Sequence, residues 1–225
     1  MKDMQFLKEN RKLFFIVLIL PLVFFYVDSR AIPWMKRIRG EMSFLYHFLE
    51  SVDPVINVIS HGATLAIIAG MLYFVGKFNN KKLYEAGKYL FIGFLLSGVI
   101  VQIIKHLFGR ARPRLMDEFL FVGPTLKGGY DSFPSGHTAV VFCFVYILSQ
   151  YFPRYRILFY LYAVFAAFER FEDSSHFPSD VLAGAVLGII VGKLMFKIFK
   201  AKQLPEQSTK RSVPHSESSI KTENV

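Results

Sequence analysis

Three short clusters of reactive side chains are spread along the second half of this 225-residue chain. They comprise Lys105 with Arg112-Pro113, then Pro134-Ser135-Gly136-His137, and then Arg170 with His176 and Asp180. Guanidinium groups match phosphate oxygens in pairs, whereas a lysine ammonium supplies a compact point charge. The three cations therefore indicate a site for an oxyanion that carries more than one negative charge.

The second and third clusters add groups that could react with such an anion. Ser135 and Gly136 precede a predicted helix, so the free backbone N–H groups and the positive end of the helix dipole favour an anion there. Two histidines remain, and His176 has a carboxylate, Asp180, four residues later. An oriented nucleophile and a separate acid are what phosphoryl transfer through a covalent histidine requires.

Each of these features has an ordinary structural explanation when it is taken alone. Lysine and arginine at helix ends usually anchor a membrane protein at the interface, and Pro-Ser-Gly before a helix is usually a turn and cap. Solvation at a helix end is the favoured interpretation of His106, Arg110 and Arg114, although these residues could instead widen the positive field around the first cluster. His61 is expected to be a packed, hydrogen-bonded histidine. What favours a site is that the three clusters occur together on one side of a membrane.

The composition indicates an integral membrane protein. Apolar residue types make up 53% of the chain, only 20% of residues are charged, and the mean hydropathy is +0.36. The lone Cys143 excludes a disulfide framework and a cysteine-rich metal site. A helical span needs about 20 apolar residues, and six segments are candidates: Leu13–Val27, Ile56–Val75, Tyr89–Ile104, Thr138–Phe152, Ile157–Phe168 and Val181–Phe199.

The predicted fold is thus an all-α polytopic membrane bundle of about six transmembrane helices, with four spans and two buried half-helices as the alternative. The segment 32–52 mixes apolar and basic residues at helical spacing, which predicts an amphipathic helix in the interface plane. Residues 1–200 form the predicted membrane domain, and residues 201–225 form a polar tail that we expect to be disordered. The first apolar segment lacks a clear cleavage site, so a retained helix is favoured over a signal peptide.

The distribution of basic residues predicts the orientation. With six spans, 17 of the 27 lysines and arginines lie on the side that holds both termini, and cytoplasmic loops carry the excess of such residues. Both termini are therefore predicted in the cytoplasm, and the three clusters face the periplasm or the cell exterior. Because most of the lysines and arginines lie in the termini and in the loops between membrane spans, their excess does not indicate a nucleic-acid partner.

Together, the three clusters resemble the three-part signature of the type 2 phosphatidic acid phosphatase and vanadium haloperoxidase superfamily, in its bacterial membrane lipid phosphatase branch. The resemblance implies that His176 attacks phosphorus, that Asp180 holds His176, and that His137 protonates the leaving oxygen. It also implies that phosphate is bound by Lys105, Arg112, Arg170 and the amides of Ser135 and Gly136, with no metal or other cofactor. One departure is Glu169, where the family usually has serine.

The resulting functional hypothesis is a metal-independent phosphatase of the cytoplasmic membrane that acts on a lipid phosphate or diphosphate. Undecaprenyl diphosphate, phosphatidylglycerol phosphate and lipid A 1-phosphate are all compatible with the sequence, which does not choose among them. A phosphotransferase that uses the same phosphohistidine is the related alternative. A lipid or anion transporter is less favoured, because the predicted span interiors are nearly free of charge.

Overall fold

The structure is a computed structural model, and it describes residues 19, 26–31, 33, 43–115, 121–172 and 174–211. Residues 26–31 and 33 are helical apart from the gap at 32. The helices that follow are α1 (Ser43–Ser60), α2 (Gly62–Asn79), α3 (Lys81–Phe108), α4 (Gly136–Tyr151), α5 (Arg156–Glu172) and α6 (Pro178–Arg211), with a 3₁₀ turn at Pro153–Tyr155. The described ranges contain no named strand, only an isolated bridge between Arg110 and Phe121.

Three of these helices are long and apolar enough to cross a membrane: α2, α3 and the part of α6 from Pro178 to Ile198. Helix α4 is apolar but shorter. The predicted all-α membrane bundle is thereby confirmed, although the number of spans stays a prediction. The first predicted segment, Leu13–Val27, lies almost entirely outside the described residues. The predicted interfacial helix spans residues 32–52, and of its part before Ser43 only residue 33 is described.

The prediction of a continuous span from Ile56 to Val75 is wrong, because the helix is broken at His61. His61 has extended backbone angles, and its Nδ1 accepts a hydrogen bond from Ala63 N at 3.3 Å, so it caps α2. Its side chain is exposed, which also contradicts the packed histidine expected there. The break turns the end of α1 toward the N-terminus of α4, a consequence that apolar patterning does not reveal.

Close packing of α6 against α4 holds the second and third clusters together. A Cβ atom added to Gly184 would lie 2.4 Å from the Ser135 carbonyl oxygen, and one added to Gly188 would lie 2.2 Å from that of Ala139. Only glycine allows this approach, as small-residue stripes do in membrane bundles. The bundle interior is filled by apolar residues from α2 to α6, among them Leu65, Leu90, Val141 and Val191.

Helix α6 continues to Arg211, beyond the predicted boundary at residue 200. The first part of the predicted tail is thus helical, and residues 212–225 lie outside the described residues. The boundary between the membrane domain and the tail stays a prediction.

Candidate active site

The three predicted clusters meet where α3 ends and where α4 and α6 begin. Ser135 N donates a hydrogen bond to the Asp180 carbonyl oxygen at 2.9 Å, and His176 N donates to that of Arg170 at 3.1 Å. A Cβ on Gly136 would lie 3.6 Å from Cε of Lys105. Helix packing therefore brings together residues that are up to 75 positions apart in the sequence.

His176 is buried and held in one tautomer. Its Nδ1 lies 2.8 Å from the carbonyl oxygen of Ser132, and a carbonyl can only accept a hydrogen bond. The proton therefore sits on Nδ1, which leaves the lone pair on Nε2. Burial lowers the pKa of His176 below its ordinary value, although Asp180 acts in the opposite direction, and this lowering favours the neutral ring.

Asp180 is fully buried and acts on His176 less directly than expected. Its Oδ2 accepts hydrogen bonds from Ser132 Oγ at 2.5 Å and from Phe177 N at 2.9 Å, and it lies 3.8 Å from His176 Nδ1. Asp180 thus fixes the Ser132 and Phe177 segments on either side of the histidine. Sequence reasoning missed Ser132, whose only signal was its position just before the second cluster.

Arg110 is fully buried, so the expectation of a solvated helix-end residue is wrong. Its guanidinium donates to Asp180 and to Asp28, the latter at 2.7 Å, and to Ser179 Oγ at 2.8 Å. Gly109, in the left-handed conformation at φ 57°, ends α3 and turns the chain so that Arg110 points inward. Arg110 therefore joins the helical segment at residues 26–31 to the start of α6.

Asp131 organises the two cations of the first cluster. Its carboxylate accepts two hydrogen bonds from Arg112, from Nε at 2.9 Å and from the adjacent terminal nitrogen at 2.7 Å, and its backbone oxygen accepts from Lys105 Nζ at 2.7 Å. The hydrogen bonds from Arg112 hold the pKa of Asp131 well below its usual range. These bonds use one edge of the guanidinium, and the opposite edge is the one that could meet phosphate.

The remaining cation, Arg170, is paired with the unusual Glu169. The Arg170 guanidinium donates to the Glu169 carboxylate, whose residue is only 5% exposed. The neighbouring carboxylate therefore does compete for the cation that would bind phosphate.

Glu169→Ser should preserve or raise turnover, because it frees Arg170 for the substrate. We expect KM for a simple lipid phosphate to fall by about tenfold, the lower end of the range for one charged hydrogen bond, in assays of phosphate release. Glu169→Gln, which keeps the shape but removes the charge, should give part of the effect. Collapse of activity in both variants would show instead that Glu169 supports the site.

His137 lies at the start of α4, and its Nε2 is 2.6 Å from Ser60 Oγ at the end of α1. Arg170 and His176 lie close enough to influence the charge on its ring. The two histidine rings therefore lie close enough to interact electrostatically. Sequence reasoning missed Ser60, since nothing in its spacing relates it to the three clusters.

A family model of the PAP2 superfamily matches residues 86–204, which include all three clusters. The chain belongs to the PAP2 superfamily. The resemblance predicted from the motifs is thus confirmed, and the protein is a membrane phosphatase of this superfamily.

Two relatives within the superfamily carry the names of lipid phosphatases. The chain is 34% identical over 155 residues to the lipid A 1-phosphatase of Rhizobium etli, over 62% of this chain and 67% of that protein. It is 26% identical over 184 residues to the undecaprenyl-diphosphatase of Sulfolobus acidocaldarius, over 73% of this chain and 84% of that protein.

Two solved PAP2 structures share the fold. The phosphatidylglycerolphosphate phosphatase of Bacillus subtilis superposes with a TM-score of 0.64 at 21% identity, over 84% of this chain and 94% of that one. LpxE of Aquifex aeolicus gives a TM-score of 0.55 at 24% identity, over 76% and 95%. The helical membrane architecture of the PAP2 chain therefore matches that of solved membrane phosphatases.

The PAP2 chain offers cations rather than metal ligands around its two histidines. Within the described ranges, no three His, Cys, Asp or Glu side chains are grouped to hold a metal ion.

Proposed function

We propose that this PAP2 phosphatase removes the terminal phosphate of a lipid phosphate or diphosphate through a phosphohistidine on His176, with a lipid A 1-phosphate as the leading substrate. The observation that carries the proposal is the buried imidazole of His176, whose Nδ1 proton is fixed on the Ser132 carbonyl. Its Nε2 lone pair is thereby available for attack, and Lys105 and Arg112 lie close enough to act on the charge of the ring. The similarity to the Rhizobium lipid A 1-phosphatase supports a lipid A 1-phosphate as the leading substrate.

In the first step, Nε2 of His176 attacks phosphorus as the bond from phosphorus to the lipid oxygen breaks. The electron pair stays on that oxygen, which takes a proton from His137 and leaves as the lipid alcohol. Lys105, Arg112, Arg170 and the N–H groups at Ser135 and Gly136 stabilise the charge on the equatorial oxygens.

In the second step, water attacks the phosphohistidine. His137 takes a proton from the water, the N–P bond breaks with its electron pair returning to His176, and inorganic phosphate leaves. The enzyme is restored with both histidines in their starting states, and no metal or other cofactor takes part.

The lipid chains remain in the bilayer during the proposed reaction. Removing a chain from the membrane costs about 0.8 kcal/mol for each buried CH₂, which excludes extraction of a whole lipid. The bundle exposes apolar side chains on α2 and α3, including Ile67, Met71, Ile103 and Leu107. The head group therefore reaches Lys105, Arg112 and Arg170 from the interface, while the chains stay among the lipids.

We infer from the distribution of basic residues that the enzyme lies in the cytoplasmic membrane with both termini inside. The site then faces the periplasm or the cell exterior, where the phosphate groups of envelope lipids are presented. Cysteines placed in the 76–80 turn and in the 123–130 loop, labelled from outside intact cells, test this: only the second should react.

A panel of lipid phosphates tests the substrate. We expect the purified enzyme to release inorganic phosphate faster from a lipid A 1-phosphate than from undecaprenyl diphosphate or phosphatidylglycerol phosphate. Vanadate, a phosphate mimic, should inhibit competitively, and EDTA should leave the rate unchanged. An absolute metal requirement, or no phosphate release from any lipid, would contradict the proposal.

The same assay separates hydrolysis from phosphotransfer. Phosphate label recovered on a second lipid instead of in inorganic phosphate would identify a phosphotransferase. Release of inorganic phosphate in proportion to the substrate consumed is the result expected for a hydrolase.

A further inference from the structure

Ser60 is a buried hydroxyl that contacts His137 from a helix with no part in the three clusters. It is 1% exposed, at the last position of α1. Its Oγ lies 2.5 Å from the Ile56 carbonyl oxygen and 2.6 Å from Nε2 of His137. Ser60 lies outside residues 86–204, the part of the chain that the PAP2 family model matches.

The directions of these two hydrogen bonds follow from the atoms involved. The Ile56 carbonyl can only accept, so the single proton of the Ser60 hydroxyl is donated to it. Toward His137 the hydroxyl oxygen must then act as the acceptor. Nε2 of His137 therefore carries a proton, and in the neutral ring the lone pair lies on Nδ1.

We propose that Ser60 is a positioning residue that holds His137 in the Nε2–H tautomer, so that Nδ1 exchanges protons with the leaving oxygen and with water. This inference rests on the proposed function, in which His137 is the acid and then the base. The protonated ring donates from Nδ1 to the leaving oxygen, and Nδ1 then takes the proton from the attacking water. Nε2 keeps its proton on Ser60 throughout the cycle.

A fixed tautomer matters because either imidazole nitrogen could hold the proton. A rotation of the ring by 180° would exchange Nδ1 with Cδ2 and Nε2 with Cε1, and would therefore turn a carbon toward the substrate and another toward Ser60. The charged and titratable groups near the ring are Arg170 on α5, His61 between α1 and α2, and His176 before α6. Arginine can only donate hydrogen bonds, so Arg170 cannot accept a proton from the ring. The Ser60 oxygen contacts Nε2 and accepts from it, which fixes the proton on Nε2.

The tautomer can be read directly, without an assay of activity. In protein labelled with ¹⁵N-histidine, the His137 signals, assigned by their loss in His137→Gln, should show the neutral ring protonated on Nε2. Ser60→Ala should shift the population toward the other tautomer, and Ser60→Thr should restore it. A wild-type ring protonated on Nδ1, or an unchanged population in Ser60→Ala, would overturn the proposal.

Kinetics give a second test, because a defect in the acid depends on the leaving group. For Ser60→Ala we expect kcat/KM to fall about ten- to hundredfold with an alkyl lipid phosphate, within the range of general acid catalysis. With p-nitrophenyl phosphate, whose nitrophenolate leaves without a proton, the loss should be less than about threefold, since kcat/KM reports only the first phosphoryl transfer. Ser60→Thr should recover most of the lost rate.

Ser149→Ala is the matched control. Ser149 is also a buried serine near a helix end, where its Oγ donates to the Tyr146 carbonyl oxygen at 2.7 Å, but it lies at the opposite end of α4 from His137. This variant should match the wild type with both substrates. Equal losses with the two substrates in Ser60→Ala would reveal a merely structural role and overturn the inference. A wild-type enzyme that releases no phosphate from lipids would instead refute the proposed function.

Discussion

His176→Asn is expected to lower phosphate release by at least about a thousandfold, the scale seen when a catalytic nucleophile is removed. Asparagine places an amide N–H near the position of Nδ1, so it can still donate to the Ser132 carbonyl, which accepts from Nδ1 at 2.8 Å. It has no counterpart of the Nε2 lone pair that would attack phosphorus. The variant thus removes the nucleophile while keeping the local hydrogen bond.

The measurement is inorganic phosphate release in detergent, combined with alkaline quenching after mixing with ³²P-labelled substrate, because phosphohistidine is stable to alkali. Wild-type protein should retain acid-labile label on histidine, and His176→Asn should retain none. The control is His106→Asn, since the exposed His106 also pairs through Nδ1 with a carbonyl, that of Thr125 at 3.1 Å, and should keep its activity within about twofold. Undiminished turnover in His176→Asn would remove the proposed nucleophile.

Arg110→Met should destabilise the protein by about 3–5 kcal/mol, because it leaves two buried carboxylates without their counter-charge. Asp28 and Asp180 are both fully buried, and both pair with the Arg110 guanidinium. The loss should appear as a fall of roughly 10 °C in Tm in detergent. Activity should fall too, since Asp180 holds the segments around His176.

Arg114→Met is the matched control, because Arg114 lies in the same loop and is exposed. Its stability should change by less than about 0.5 kcal/mol. Adding Asp28→Asn to Arg110→Met should recover part of the lost stability, since one unpaired charge disappears. Equal stability of the two single variants would show that the buried cluster contributes little to folding.

The apolar segments and the order of the motifs could be predicted because both are local properties of the chain. A helix that crosses a bilayer must satisfy its own backbone hydrogen bonds, so long apolar runs such as Tyr89–Ile104 indicate their structure directly. The prediction was less accurate at Ile56–Val75, where apolar patterning continues through His61 while the backbone does not. A helix break depends on two backbone angles, and composition does not record them.

The partners of the candidate site residues were much harder to predict. Arg110 looked like a solvated helix-end residue, yet its partner Asp28 is 82 positions away. The acceptor for His176 is a backbone oxygen, that of Ser132, and every residue carries such an oxygen. Sequence pattern therefore offered no signal for either contact.

By itself, the sequence determined that this is a helical membrane protein and which side chains could bind and transfer phosphate, because hydropathy and chemical type belong to each residue. Only the tertiary structure decided which atoms those side chains contact: Nδ1 of His176 on a carbonyl, Nε2 of His137 on Ser60, and Asp131 across Arg112 and Lys105. Hydrogen-bond direction and tautomer depend on positions within a few tenths of an ångström. These positions are fixed by the packing of α3, α4 and α6 against one another and of α1 against α2 and α5.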